Sequence, residues 1–307
     1  MLQNLKGVFV VPLIILNIVF WFIPIFVFAI VRLLLPFTAV RKWTSSILIA
    51  CGENWITVNG IIHDVTQDTH WHFSGLDSLR RRDWYLVAAN HQSWVDIVVL
   101  QRALNRRIPF LKFFIKQQLI WIPFLGLAWW AMDMPFMKRY SRSYLRKYPE
   151  KRGQDLEATR RSCERFREVP TSVINFVEGT RFTEAKHEKS QSPYKNLLPP
   201  KAGGVAFALS VMGEQFRSIL DVTVIYPGGA KTFWDMCTGR LTDVIIDVRE
   251  VPIEPWMTSG DYLNDDAFKA QFRDWMDAFW VEKDRRFDAL THQFESQASS
   301  QENSHND

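Results

Sequence analysis

A histidine and an aspartate five positions apart, in Asn90-His91-Gln92-Ser93-Trp94-Val95-Asp96, are the residues of this chain best suited to chemistry. On one continuous helix, positions five apart point in different directions. Here the apolar run Trp84 to Ala89 reads as a buried strand, and Ser93-Trp94-Val95-Asp96 reads as a capping box opening a helix toward Asn105. His91 then falls in the strand-to-helix loop and Asp96 in the first helical turn. The carboxylate can fold back onto the imidazole, hold one ring nitrogen and leave the other as an outward base. Such a base can take the proton of an alcohol, which then attacks a thioester with no serine or cysteine nucleophile between them. No G-x-S-x-G occurs. A structural loop histidine beside a helix-capping aspartate would have the same spacing, and spacing alone leaves both readings open.

Further blocks follow. Phe136-Met137-Lys138-Arg139 comes next, then Phe176-Val177-Glu178-Gly179-Thr180-Arg181, about 80 residues after the histidine block, then Val222-Thr223-Val224-Ile225-Tyr226-Pro227. Between them lie Lys116-Gln117-Gln118-Leu119-Ile120-Trp121-Ile122-Pro123-Phe124-Leu125-Gly126 and Lys201-Ala202-Gly203. In this order and spacing the set resembles the glycerolipid acyltransferase superfamily, with its H-x-x-x-x-D, F-I-x-R, E-G-T-R and strand-proline blocks. It is most similar to the bacterial 1-acylglycerol-3-phosphate (lysophosphatidic acid) acyltransferases. The resemblance runs from Trp71 to Val251. Asp133-Met134-Pro135 stands where a glycine-rich approach is commoner, and the fourth block begins Val-Thr rather than Val-Pro.

The resemblance implies transfer of a fatty acyl group from acyl-CoA or acyl carrier protein to the free hydroxyl of 1-acylglycerol-3-phosphate, giving phosphatidic acid. His91 and Asp96 are the expected catalytic pair, and no cofactor or metal is expected. Glu178, Gly179, Thr180 and Arg181 are expected in the acceptor site, with Lys116, Arg139 and Lys201 as further substrate contacts. The residue types suit that role. Arginine offers a planar fork of donors to phosphate oxygens, and a glycine after a strand lets backbone amides approach an anion. Glu178 has a second reading, as a structural carboxylate that orients Arg181. Another lysophospholipid, head-group-bearing or lyso-cardiolipin, is the alternative acceptor.

These residues need elements to hold them. Beyond Trp84–Ala89, strands are expected at Trp55–Gly75, Thr171–Val177, Asp221–Tyr226 and Val244–Val251. Helices are expected at Trp43–Asn54, Ala202–Met212 and Phe268–Leu290. Strands alternating with helices indicate an α/β domain, here residues 55–292, ahead of a polar, disordered tail at 293–307. Residues 1–54 form the membrane part. Gly7 to Val31 carries no charge, and Asn17 is its only strongly polar side chain. As a helix it would be roughly 37 Å long, enough for a bilayer core. It exceeds a signal-peptide core, and no small-x-small cleavage site follows. Pro12 and Pro24 allow either one span or a re-entrant pair. Arg32, Arg41 and Lys42 behind it, against Lys6 before it, place the catalytic domain on the cytoplasmic face of a bacterial inner membrane. Leu119 to Met132, with Trp121, Trp129 and Trp130, is too short to span and reads as a surface-seated segment beside the acyl-chain pocket.

Composition agrees. The 13 Trp and 23 Phe favour a membrane interface, while a net charge of +4 is too small to argue for nucleic acid. The basic stretch Lys138–Glu168, with Tyr140, Tyr144 and Tyr148, is diluted by Glu150, Asp155, Glu157, Glu164 and Glu168, and suits a solvated or lipid-facing surface. His70-x-His72 with Asp64 lacks a third metal ligand at convincing spacing. Cys51, Cys163 and Cys237 are too scattered for a disulfide or zinc site and read as reduced.

Overall fold

The computed structural model describes the chain except residues 1, 36, 138–146, 149–165, 167–168, 263 and 306–307. The Lys138–Glu168 stretch, Arg139 and Cys163 lie wholly or largely outside the described residues. By internal contacts the chain divides into two compact units. One comprises Met1–Gln67, Leu79–Tyr85 and Leu100–Ile174; the other comprises Asp68–Ser78, Leu86–Val99 and Asn175–Asp307.

The first unit opens with two long helices, α1 (Leu2–Leu34) and α2 (Thr38–Thr66). They run antiparallel. The Asn17 side-chain amide donates to the Trp55 carbonyl (3.1 Å) and to Asn59 Oδ1 (2.9 Å), while Phe28 meets Trp43 edge-on nearer the turn. The one polar side chain of the apolar run thus finds partners on α2, as a buried amide must. Helix α1 continues through Pro12 and Pro24. It is long and apolar enough to cross a membrane, by length and composition. Phe9, Leu16, Phe20, Ile23, Leu33 and Leu34 are all exposed along it. Arg32, a flanking charge by its place in the sequence, is turned inward. It donates to the Ala131 carbonyl and pairs with Asp133 at 2.9 Å.

Helix α2 corrects one expectation. Strands are expected from Trp55 onward, yet the chain is helical through to Thr66, across the boundary drawn at residue 54. The stretch is rich in β-branched residues, which misleads on propensity. Its tertiary contacts decide instead. Leu48, Cys51, Gly52 and Ile56 are buried at helical spacing, and the Thr57 and Thr66 hydroxyls bond back to Glu53 and Ile62 carbonyls. Gly52 is needed for close approach, since a Cβ there would lie 2.8 Å from the Phe110 ring. Glu53 is bonded by Arg81, Asn54 by Arg106 (2.6 Å) and Asp64 by Arg102 (2.7 Å), so this face of α2 is docked through charged groups.

The Leu119–Met132 segment is a 3-10 turn (Gln117–Trp121) followed by a short helix, Leu125–Ala131. Ala128, Ala131 and Met132 pack into a core with Ile25, Ala29, Leu48 and Cys51, while Trp121 is 85% exposed. The segment is therefore half core and half surface.

Strands β1 (His70–Ser74), β2 (Tyr85–Ala89), β3 (Leu111–Phe113), β4 (Ile115–Lys116), β5 (Phe136–Met137), β6 (Ser172–Phe176), β7 (Ser218–Ile225) and β8 (Asp243–Val251) form two sheets. The larger has the order β1-β8-β7-β2-β6-β3; β4 and β5 pair in parallel. In the larger sheet β1–β8 and β3–β6 are parallel, and β7–β8 is antiparallel with Ile225 opposite Ile245. Every residue of β2 and β7 is buried, which explains the unbroken apolar run of β2; β7 also buries Ser218, Asp221 and Thr223. The mixed sheet with flanking helices is the expected α/β class.

Helix α3 (Val95–Leu104) follows β2, and α5 (Glu184–Ser190) and α6 (Ala202–Met212) follow β6; α4 denotes Leu125–Ala131. After β7 come the short helices α7 (Phe233–Thr238) and α8 (Trp256–Ser259), and then α9 (Asp266–His305). The last docks through Lys283. This fully buried ammonium donates to Asp221 Oδ1 (2.6 Å) and the Val222 carbonyl (2.7 Å) of β7. Helix α9 also runs on through the stretch expected to be a disordered tail. It contains no proline or glycine, and Ser296, Ser299 and Ser300 turn their hydroxyls onto carbonyls of the preceding turn. The side chains set aside as metal ligands are otherwise engaged: His72 pairs with Asp243, and Asp64 with Arg102.

Candidate active site

The site is built at the ends of β2, β6 and β7, within the second unit. Asn90, the first residue past β2, is fully buried and acts as an extra rung of sheet. Its Nδ2 donates to the Val224 carbonyl (2.9 Å), and its Oδ1 accepts from the Val224 N–H (2.8 Å). The next residue is His91. Its N–H donates to Glu178 Oε1 (2.8 Å), its carbonyl accepts from Phe182 N–H (2.7 Å), and its ring stacks on Phe176 at 4.0 Å. The backbone and one ring face are therefore fixed before any catalytic contact is counted.

His91 Nδ1 lies 2.8 Å from Asp96 Oδ2. An ionised carboxylate can only accept, so this bond puts the imidazole proton on Nδ1 and leaves the Nε2 lone pair as the base. Among the described residues none bonds Nε2, and the histidine side chain is 16% exposed while Asp96 is fully buried. Asp96 Oδ2 also accepts from the N–H groups of Gln92 (2.6 Å) and Ser93 (3.0 Å). Only half of the expected capping box forms: Asp96 takes the Ser93 N–H, but the Ser93 hydroxyl takes the Val95 N–H rather than that of Asp96, and the same Asp96 oxygen also orients the histidine. Ser93 completes the turn, accepting from Val95 N–H and donating to the Lys231 carbonyl.

Asp96 Oδ1 accepts from the Tyr226 hydroxyl at 2.7 Å. Tyr226 lies just past β7 and is buried. Burial, and then the Asp96 charge, push its phenol well above the usual range, so it stays a neutral donor.

Glu178 is 1% exposed and both its oxygens are taken by backbone: Oε1 takes the His91 N–H, and Oε2 takes the Leu198 N–H (3.2 Å). It does not orient Arg181. Burial pushes its carboxyl up to about 7, against the pull of those two backbone bonds. Residue 178 follows a buried strand, and a carboxylate there must be satisfied internally. Gly179 differs from expectation. Its N–H is used within the turn, donated to the Phe176 carbonyl (2.8 Å), so it offers no free amide to an anion. It sits at φ +66°, and a Cβ there would fall 2.9 Å from Lys201 Nζ, so the glycine makes room for that lysine to lie across it.

Thr180 Oγ1 and the Arg181 carbonyl both accept from Lys186 Nζ, at 2.9 and 2.8 Å. The Arg181 guanidinium lies over the Trp94 ring, 4.7 Å from its centroid. Among the described residues no carboxylate pairs with Arg181, leaving its donors available. The second unit thus brings together His91, Asp96, Glu178, Gly179, Thr180, Arg181 and Lys201. Lys116 is exposed on β4 in the first unit, and Arg139 lies outside the described residues. Tyr226, Asn90, Trp94, Phe176 and Lys186 were not singled out from the sequence. Four of them lie inside or beside the quoted blocks, where they read as strand or cap positions.

The family model described as Acyltransferase matches residues 70–227, half of the chain. The mouse protein named 1-acyl-sn-glycerol-3-phosphate acyltransferase gamma is 28% identical over 178 residues, covering 55% of this chain and 43% of its own length. The human delta form is 25% identical over 210 residues, covering 61% of this chain and 52% of its own. This chain therefore spans about half the length of those relatives. A solved structure of a Thermotoga maritima 1-acyl-sn-glycerophosphate (LPA) acyltransferase aligns at 19% identity with a TM-score of 0.46, covering 91% of this chain and 95% of that one. With the matched region running from the first strand through the histidine loop to Tyr226 and Pro227, the chain belongs to the acyltransferase family.

Proposed function

We propose that this protein transfers a fatty acyl group from a thioester donor, acyl-CoA or acyl carrier protein, to the free hydroxyl of 1-acylglycerol-3-phosphate, giving phosphatidic acid. The observation that carries the reading is the 2.8 Å bond from His91 Nδ1 to a fully buried carboxylate, with Nε2 left unbonded among the described residues. The acceptor hydroxyl gives its proton to Nε2 as its oxygen attacks the thioester carbonyl. The C–S bond breaks and the departing thiolate takes the proton back from the imidazolium. Asp96 keeps the ring oriented and steadies its transient charge. Positioning supplies much of the rate. Arg181, its guanidinium over the Trp94 ring, is the candidate fork for the acceptor phosphate, with Lys201 and Thr180 beside the same turn.

The test is acceptor-dependent release of free thiol by the purified protein in detergent, with oleoyl-CoA or an acyl carrier protein donor. Wild type is expected to need the lysophospholipid, and His91→Ala to release none. Activity retained in His91→Ala would sink the mechanism. An inactive wild type with the phosphomonoester but an active one with a head-group-bearing or lyso-cardiolipin acceptor would reassign the substrate.

We further propose that α1 and α2 enter the bilayer as a re-entrant pair, holding the enzyme at the cytoplasmic face of a bacterial inner membrane. Asn17, midway along α1, is bonded to α2, and α2 is docked by Arg81, Arg102 and Arg106. Charged pairs at that depth cost too much inside hydrocarbon. The exposed apolar side chains nearer the turn, Phe20, Ile23, Leu33, Leu34, Leu35 and Phe37, are the part suited to immersion, with the exposed Arg41 and Lys42 just beyond them at headgroup level.

A further inference from the structure

We infer that Tyr226 is a positioning residue: its hydroxyl locks the second oxygen of Asp96 and, through that carboxylate, the ring of His91. The inference rests on the acyl-transfer reading above for its kinetic consequences.

The two oxygens of Asp96 are unequally served. Among the described residues Oδ2 takes three donors, the Gln92 and Ser93 N–H groups and His91 Nδ1, while Oδ1 takes the Tyr226 hydroxyl alone. Asp96 is fully buried, so no bulk water can replace that donor. A carboxylate turns about its Cβ–Cγ bond unless both oxygens are held. With Oδ1 empty, rotation would carry Oδ2 away from Nδ1 to ease the orphaned oxygen, because a buried unpaired charge is costly. The hydroxyl therefore fixes the plane of the carboxylate, and the plane fixes the imidazole.

Tyr226 is itself immobilised. The backbone of Val224, two residues earlier, is clamped on both sides by the Asn90 amide, and the Tyr226 carbonyl accepts from Gly229 N–H at 2.8 Å. The end of β7 and the His91 loop are thereby held in one register. A buried tyrosine just past the end of a strand carries a polar tip that must find a partner. Here the partner is the catalytic carboxylate.

The test uses the full-length protein in detergent with oleoyl-CoA and 1-acylglycerol-3-phosphate, comparing wild type, Tyr226→Phe, Asp96→Asn and the double variant. Tyr226→Phe is expected to lower kcat about ten-fold, with the acceptor KM within about two-fold, as loss of one hydrogen bond to a charged group. In the Asp96→Asn background the same change is expected to alter kcat by less than about two-fold, since its effect runs through that carboxylate. Ile219→Val, a buried change on the same strand, is expected to leave kcat unchanged. An unchanged kcat in Tyr226→Phe, or equal losses in both backgrounds, overturns the inference. The second readout needs no substrate: the downfield Nδ1 proton of His91 in protein carrying 15N-histidine. It is expected to be sharp in wild type and broadened by exchange in Tyr226→Phe; an identical signal in the two overturns the inference. If wild type transfers nothing to the phosphomonoester, the functional reading fails by itself, and this proton signal decides the role of Tyr226.

Discussion

The Glu178 carboxylate accepts the backbone N–H of His91 at 2.8 Å, from 87 residues away in the chain. Its other oxygen accepts the N–H of Leu198. A residue expected beside the substrate thus also holds the backbone on which the His91 ring stands.

That carboxyl is lifted from 4.5 to about 7 by burial, which makes its ionisation a cost to the fold. Its folded value lies above its unfolded one. The stability it contributes is full below about 4.5 and is lost as pH rises through about 7. The expected loss is about 3 kcal/mol, since each tenfold change in proton affinity is worth ~1.4 kcal/mol. Glu178→Gln removes the titration but leaves one backbone N–H without an acceptor. Thermal unfolding between pH 4.5 and 8 should therefore find the variant well below wild type in acid, with the gap narrowing toward pH 7. A pH-independent gap would argue that Glu178 ionises normally.

Arg181 owes its orientation to Trp94, 4.7 Å beneath its guanidinium. Lysine keeps the charge but loses both the fork and the stacking plane. Arg181→Lys is expected to raise the acceptor KM about ten-fold with kcat little changed, the pattern of lost uniform binding. Trp94→Ala should move KM in the same direction. Steady-state kinetics across acceptor concentrations reads both, and a fall in kcat alone would place Arg181 elsewhere in the cycle.

Gly179 combines a left-handed backbone with the Lys201 side chain lying across it. Gly179→Ala meets both obstacles. Left-handed backbone costs a residue with a Cβ roughly 1–2 kcal/mol, before any displacement of the lysine. A drop in unfolding temperature together with weaker acceptor binding is expected. A variant as stable as wild type would mean that the turn can relax around the new methyl group.

The antiparallel pairing of α1 and α2 bears on topology. With Asn17 bonded to α2, the start of α1 is expected on the same side of the membrane as the end of α2. A cysteine placed by Asn4→Cys in an otherwise cysteine-free chain is expected to react with an impermeant maleimide from the cytoplasmic side of inverted vesicles. Labelling only from the opposite side would mean that α1 crosses the bilayer.

The pairing of His91 with Asp96 was legible in the chain because its determinants are local. Strand, loop and cap lie within a dozen residues, and the five-residue spacing of His91 and Asp96 suffices once a turn separates them. The apolar run of α1 was readable for the same reason, as length and composition are properties of a segment. What tertiary structure decided lies at long range. Glu178 reaches His91 across 87 positions, Tyr226 reaches Asp96 across 130, and Asn90 reaches Val224 across 134. No periodicity records such pairings, because a buried polar group declares its need for a partner but not which partner. The same holds for α2, where alternation argued for strands and packing against Phe110, Ile25 and Ala29 selected a helix. Local sequence set the chemistry at the loop, while burial chose which distant side chains would hold it still.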